Sequence, residues 1–554
     1  MNGIFPARYA MLHNPKTKRP SFLSGVGILT LSSLLVKVMG LFYRIPLLGR
    51  LGTEGMGYFN TAYELYALFC VISTAGLPVA MSVLISALEA EGRASESRRV
   101  FRVSLLLFAC IGCVGTLLLW SLSAPFAALL GSPLSAACMR AIAPTVLFIC
   151  LSSAFRGYFQ GKGQMLPTAL SQVMEAAGKL FLGLAFAGYA LARGEGLPTV
   201  AAYAALGLTV GTALSVVYLL CHQRISRRRE PLLWGGSNPS APAKTDVLRP
   251  LLATAIPVTV SAGLISLTKC VDLALILRRL QTAGYTAAEA TSLYGCYSTL
   301  AVPVFNILPS LTTSVALSAT PALSAALQQG EAGIPALKKT AASALGITLA
   351  LAIPAGLGLS VFSEDILSLL FGNQPEAVAM ATPWLSCLGL SVPAACLITV
   401  TGAMLQAAGK AHKPILSMLC GVGVKVVVAY VLLGREGWGM AGAPVSSLCC
   451  DAVILLCNLA FLGRYAPQML PTAGKCLSTV GIPSVAAILA VTVTKLLRAL
   501  LGWERVTSVH TVFAVACTAC LYGSLMLTAL LLRKQIPTHK NKESNHEQAY
   551  ERTA

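Results

Sequence analysis

The chain has 554 residues, 56% of them hydrophobic and 11% charged, with a mean hydropathy of +0.73 and a formal net charge of +20. An ordinary soluble domain is about 25% charged, so this composition excludes a soluble globular protein. The basic balance would suggest a nucleic-acid partner in such a protein, but the 41 Lys and Arg fall mostly in short polar segments between apolar runs, and no nucleic acid is expected.

Residues 1–20 hold Arg8, Lys16, Lys18 and Arg19 ahead of an apolar run that begins at Phe22. The run continues to about Tyr43, contains Lys37 and is followed by many similar runs, so an uncleaved first span is expected rather than a signal peptide. Stretches long enough to cross a hydrocarbon core, about 20 residues, fall near 22–43, 58–86, 103–124, 136–155, 166–191, 198–221, 251–277, 291–325, 341–362, 379–405, 414–433, 440–463, 476–497 and 509–532. The expected fold is therefore all-α and integral to a membrane, with about fourteen transmembrane helices.

Lys and Arg test that count, because cytoplasmic loops carry their excess. With the N-terminus inside, 27 fall on the cytoplasmic side, among them Arg93, Arg98, Arg99, Arg102, Arg227, Arg228 and Arg229, and 8 on the opposite side: Arg44, Arg50, Arg193, Arg278, Arg279, Arg435, Arg498 and Arg505. Both termini are then cytoplasmic, and +20 is accounted for without a polyanionic partner.

The longest hydrophilic stretch, 222–249, reads as a flexible basic linker anchored on anionic lipid. The sequence on its two sides repeats. Leu35-Val36-Lys37 corresponds to Leu267-Thr268-Lys269 at an offset of 232, and Gln160, Gly163, Ser171 and Lys179 correspond to Gln406, Gly409, Ser417 and Lys425 at an offset of 246. The expected division is a basic N-terminus (1–20), a six-span N-lobe (21–221), the linker (222–249), a six-span C-lobe (250–464), two further spans (465–534) and a tail (535–554). Parallel repeats about an axis along the membrane normal are a pattern of transporters that rock two halves around a central site; chance similarity between apolar segments is the competing explanation.

Seventeen cysteines, such as Cys110 with Cys113, Cys449 with Cys450 and Cys517 with Cys520, lie nearly all inside apolar runs and are expected to be buried thiols. No metal cluster, nucleotide-binding loop or nucleophile with its base is visible, so no cofactor, metal or enzymatic activity is expected. Gly421-Val422-Gly423-Val424-Lys425 reads as close helix packing. What remains are ionisable residues inside spans, each costing about 2.5–3.5 kcal/mol at a helix centre on insertion scales. Lys37 and Arg44 share a helix face, Lys269 and Asp272 share a face of the matching helix, Glu64 lies in the second span, and Glu175 precedes Lys179 by four residues in the order that favours an intrahelical pair. One reading places Lys37, Arg44 and Lys269 in a water-filled inter-lobe cavity, where cations hold phosphate oxygens. The other makes the ionisable residues neutralised structural pairs or snorkelling side chains, the reading favoured for Glu175 with Lys179, and for Lys425 and Asp451.

The stretch from Leu34 to Arg93 resembles the start of stage V sporulation protein B and related polysaccharide-biosynthesis membrane proteins. The resemblance rests on Arg44-Ile45-Pro46, Leu51-Gly52 with Gly55 and Gly57-Tyr58, Gly76-Leu77-Pro78, the Ser82 to Glu91 helix end, and the later Arg156-Gly157-Tyr158-Phe159-Gln160-Gly161. It implies a fold shared by lipid II flippases, O-antigen flippases and multidrug and toxin extrusion transporters, the multidrug/oligosaccharidyl-lipid/polysaccharide exporter superfamily. In the lipid II flippases a cationic cavity takes the diphosphate-sugar headgroup and the last two helices form a groove for the polyprenyl tail. Lys37 occupies the place of a basic residue in their first helix, and Arg44 falls one position from a second. The expected function is alternating-access flipping of an undecaprenyl-diphosphate-linked saccharide, a peptidoglycan precursor, in the cell membrane, with spore-cortex formation as a setting and a monomer as the working unit. A cation-coupled multidrug exporter is the alternative, favoured by Glu64 and Glu175 but not by the two extra helices; a non-transporting scaffold is a third.

Overall fold

The computed structural model describes residues 22–229, 244–435, 437–471, 473–501 and 508–535. The basic N-terminus, linker residues 230–243 and the tail beyond Gln535 lie outside them. The first half runs as α1 (Phe22–Thr74), α2 (Leu77–Ala90), α3 (Ala94–Ser121), the short α4 (Ser123–Leu129) and α5 (Ala136–Ile142), α6 (Thr145–Gly161), α7 (Leu166–Ala192) and α8 (Leu197–Arg229). The second half runs as α9 (Lys244–Thr282), α10 (Ala287–Cys296), α11 (Val302–Gln328), α12 (Ile334–Val361), the short α13 (Ser363–Phe371), α14 (Pro375–Ala407), α15 (His412–Leu433) and α16 (Gly442–Tyr465). Helices α17 (Ala473–Leu500) and α18 (Ser508–Gln535) follow. Among the described residues there is no strand, as a bilayer requires of a chain that must satisfy its own backbone.

Eleven helical runs among the described residues are long and apolar enough to cross a membrane, against the fourteen expected. The first, Leu31–Ala90, covers two expected spans. The seventh expected span lies on α9, and the fourteenth on α18, whose apolar stretch Val512–Thr528 is shorter. The hydrophilic linker is also shorter than its composition suggests, since α8 continues to Arg229 and α9 begins at Lys244.

Two features divide the long first run. At Gly52 the backbone has φ 63° and ψ −175°, a conformation that a Cβ would oppose, and α1 turns there. After Thr74 the chain breaks before α2, which starts with Pro78 in its first turn, where the missing N–H costs nothing. The repeat inferred from sequence reappears in backbone detail. Gly163 and Gly409, offset by 246, close α6 and α14 at φ 76° and 74°. Gly163 N–H bonds to Gln160 O and Gln164 N–H to Phe159 O, while Gly409 N–H bonds to Gln406 O and Lys410 N–H to Leu405 O. The same helix C-cap thus ends the same element in both halves.

Small residues set helix spacing, as expected where lipid removes the hydrophobic drive for association. Gly178 faces Gly211 and Gly183 faces Gly207 across α7 and α8, so close that no side chain fits. Gly421 abuts Ile454 of α16, whereas Gly423 faces open space, so only the first glycine of that stretch serves packing. The cysteines divide: Cys138, Cys150, Cys270, Cys296, Cys396 and Cys450 are buried, but Cys110, Cys113 and Cys520 point outward. In a bilayer an outward thiol meets lipid, so an apolar run does not distinguish core from lipid face.

One buried cluster joins both halves, running from Tyr43 and Phe59 through Ile142 and Tyr158 to Leu277, Tyr294, Trp384 and Leu433. A second, built on Leu323, Leu337, Met404, Leu462 and Met469, belongs to the second half alone.

Candidate inter-lobe site

The halves are stitched together where α1 bends. Thr53 Oγ1 lies 2.7 Å from Ser292 Oγ of α10. Asn60 donates through Nδ2 to Ser298 Oγ at 2.9 Å and to Thr299 Oγ1 at 2.8 Å. Both acceptors lie in a π turn, Tyr297–Ala301, that joins α10 to α11. Such turns recur at functional positions because the widened winding frees backbone and side-chain groups from the regular ladder. Gly57 and Gly295 permit this approach, since a Cβ on Gly57 would strike the Thr291 carbonyl and one on Gly295 the Thr53 carbonyl. Nearby, Arg278 Nε donates to Leu129 O at 2.7 Å and Gln281 Nε2 to Gly131 O at 2.6 Å, carrying the seal to the loop after α4.

The expected site residues fall into three groups. Arg44 bridges the lobes: its guanidinium donates to Ser298 O at 2.8 Å and lies within electrostatic reach of Glu64, Tyr63 and Tyr294. Glu64 is likewise within reach of Lys269 and Asp272, and its backbone carbonyl receives the Cys270 thiol at 3.5 Å. Arg44, Glu64, Lys269 and Asp272 therefore gather where α1 meets α9. Lys37 and Lys269 form the second group: both side chains are exposed, and among the described residues neither makes an ion pair.

The third group corrects the pairing expected from spacing. Lys269 and Asp272 are not partners; Asp272 Oδ2 instead receives Lys425 Nζ from α15 at 2.8 Å. Glu175 does not pair with Lys179 either, because Arg156 Nη2 of α6 reaches Glu175 Oε2 at 2.8 Å while Arg156 Nε donates to Ser171 Oγ. Lys179 Nζ points into three rings from the two arms of α1, at 4.5 Å from the centroid of Tyr63, 5.2 Å from Tyr43 and 5.8 Å from Phe59. Helical spacing shows which residues can meet on one helix; a neighbouring helix offered a better partner in both cases. A further pair that no spacing signalled, Arg498 with Asp365 at 2.6 Å, fastens α17 to α13. Asn60 carries no signal in the sequence comparable to that of an ionisable group, because an uncharged amide in a span costs little.

The arrangement has two chemical features. It joins the two lobes with neutral hydrogen bonds from Thr53, Asn60 and Gln281, which break and re-form at small cost in a membrane, about 0.6 kcal/mol each on average, and with charge-assisted ones from Arg44 and Arg278. Lys37 on α1 and Lys269 on α9 carry exposed side chains.

Residues 22–327 match the family described as polysaccharide biosynthesis protein, and residues 298–431 match the MatE family. The chain is 24% identical to stage V sporulation protein B of Bacillus subtilis (strain 168) over 93% of its own length and 97% of that relative. It is 26% identical to lipid II flippase MurJ of the same organism over 74% of this chain and 77% of that one. Among solved structures, lipid II flippase MurJ in an inward closed conformation has a TM-score of 0.68 at 13% identity, covering 92% of this chain and 99% of that one. An inward-facing multidrug resistance MATE family transporter has a TM-score of 0.62 at 18% identity, covering 80% and 98%. These likenesses establish the fold: a multi-pass helical membrane protein of the MurJ and MATE kind.

Proposed function

Because the chain belongs to the polysaccharide biosynthesis protein family, we propose that it flips an undecaprenyl-diphosphate-linked saccharide, a peptidoglycan precursor, across the cytoplasmic membrane by alternating access. The observation that carries this reading is the cross-lobe seal of Arg44, Thr53 and Asn60 against α10 and the π turn, together with the exposed cations Lys37 on α1 and Lys269 on α9. A diphosphate needs cations to hold its oxygens, and among the described residues neither lysine makes an ion pair. Charge placement puts the sealed end, with Arg50 and Arg278, outside and both termini in the cytoplasm, so the substrate would be loaded from the side on which it is made. The name of the flippase relative agrees with a lipid-linked substrate.

The test is reconstitution of the purified chain in proteoliposomes with a lipid-linked disaccharide. Flipping is expected, and Lys37→Ala and Lys269→Ala are each expected to abolish it at normal membrane abundance. A chain that instead moves a cationic drug would favour the exporter reading, for which the MatE match over 298–431 speaks. Topology is checked separately. Cysteines replacing Arg228 and Lys540 should react only from the cytoplasm, and one replacing Glu376 only from outside; labelling at 228 from outside would reverse the assignment.

A further inference from the structure

The C-lobe holds an open cavity of about 570 Å³ among α11, α14, α15 and α16. Three helical stripes border it, with Asn306 and Thr313 on α11, Gly402 and Gln406 on α14, and Asp451 and Asn458 on α16. One of its borders, Gly402, differs from its counterpart in the other half. At the offset of 246, Gly402 corresponds to Arg156 and Gly421 to Glu175. In the N-lobe those two side chains meet as a partly buried ion pair. In the C-lobe both positions are glycine: Ile454 packs against Gly421, while Gly402 borders the cavity and leaves open the room that Arg156 takes in the other half.

The walls are polar in a specific way. Asn458 is 1% exposed; its Nδ2 donates to Thr401 Oγ1 at 3.1 Å, and its Oδ1 has no hydrogen-bond partner among the described residues. A buried amide oxygen left without a donor is unfavourable, and a hydroxyl donor from a ligand would relieve it. Asp451, seven residues earlier on the same face, lines the cavity, and no described cation lies within ion-pair distance of it; Lys425, the nearby charge, is engaged with Asp272. Gln406 and Asn306 add amides at exposed positions, and Phe305 contributes a ring. Acceptor oxygens with amides and an apolar wall suit a ligand rich in hydroxyl donors and C–H faces, and a volume of this size falls within the range of small-molecule sites.

We propose that this C-lobe cavity is a carbohydrate subsite, which holds the saccharide of the lipid-linked substrate through Asn458 and Asp451 while the diphosphate stays with the lysines of α1 and α9. The inference rests on the proposed function and divides the headgroup between two chemistries: cations for phosphate, amide and carboxylate acceptors for sugar hydroxyls. A lobe-specific glycine decides which half takes the sugar.

The experiment titrates full-length protein in detergent with two probes, undecaprenyl diphosphate and the same lipid bearing a disaccharide. Gly402→Leu fills the cavity, and the position tolerates a side chain, since a Cβ there meets only Pro414 Cβ at 3.9 Å. Asn458→Leu removes the orphan acceptor at similar volume. Each is expected to weaken binding of the disaccharide lipid about ten-fold or more, while binding of the bare diphosphate lipid changes less than two-fold. Retention of the bare lipid also certifies the fold of each variant. Equal losses for both lipids, or a disaccharide preference that survives both variants, would overturn the subsite and leave the flippase reading standing. A wild-type chain that binds neither lipid would overturn both.

Discussion

Lys179 and Lys425 stand 246 residues apart at matching places in the two halves, and each is a lysine set within a membrane-spanning helix. Their surroundings have diverged. In the N-lobe the carboxylate four residues earlier, Glu175, is taken by Arg156, and Lys179 is held by the faces of Tyr63, Tyr43 and Phe59. In the C-lobe the corresponding residues are Gly421 and Gly402, and Lys425 recruits Asp272 from α9. At the offset of 232, Asp272 itself corresponds to Gly40. One half therefore sets its lysine against ring faces, while the other pairs it with an anion. A duplicated fold can keep the position of a buried cation yet change its counterpart, because either solution offsets desolvation and neither is specified by the helix that carries the lysine.

The largest effect should come from breaking the anionic solution. Asp272→Ala strands Lys425 and is expected to cost about 3–5 kcal/mol, read as a drop in thermal unfolding temperature and in membrane abundance; the Asp272→Ala, Lys425→Ala double variant should recover most of it. If the double variant is no better than the single one, the pair is not what stabilises this contact. Next comes the aromatic solution. Tyr63→Leu removes the nearest ring and should cost about 0.5–2 kcal/mol, and Lys179→Met should be tolerated better than Lys425→Met, since it leaves no carboxylate without a cation. Equal destabilisation by the two methionine variants would erase the distinction between the lobes. The smallest effect lies at the seal. Asn60→Ala removes two hydrogen bonds worth about 0.6 kcal/mol each, so stability should hardly change. A cysteine placed at Ser298 should nevertheless gain reactivity toward a membrane-impermeant reagent; unchanged reactivity would show that Asn60 does not hold the lobes together.

Much of this was legible in the sequence. Runs of apolar residues marked the helices, and the offset of 246 matched Gly163 with Gly409, which the structure shows to be the same glycine cap ending α6 and α14. The resemblance around Arg44 and Gly52 indicated the fold, and Gly52 proved to be the bend in α1. The partners were not legible. Glu175 and Lys179 satisfy every local rule for an intrahelical pair, as do Lys269 and Asp272 for a shared face, and both groupings were displaced by residues 19 to 153 positions away. Local spacing bounds what is possible, whereas burial in a helical bundle selects the partner with the best geometry among all helices in reach. Asn60 and Asn458 escaped for another reason: an amide inside a span is inexpensive enough to pass for ordinary packing, and only the acceptors it meets, or fails to meet, reveal its use.

The π turn at Tyr297–Ala301 has a consequence for how this chain tolerates insertion and deletion. A π turn is an α-helix with a residue too many, and one residue corresponds to about 100° of rotation about the helix axis. Deleting one residue there would restore an unbroken helix from Ala287 to Gln328 and leave Thr291 and Ser292 facing the N-lobe. It would also swing the lower half of that helix through roughly a quarter turn, carrying Asn306 and Thr313 off the cavity wall. The surplus residue thus acts as a phase shifter that lets one continuous rod present two unrelated faces, the upper one to the partner lobe and the lower one to its own interior. Single-residue deletions at 297–301 should accordingly preserve helix content while disconnecting the two ends of the rod, a phenotype that no substitution at those positions would reproduce.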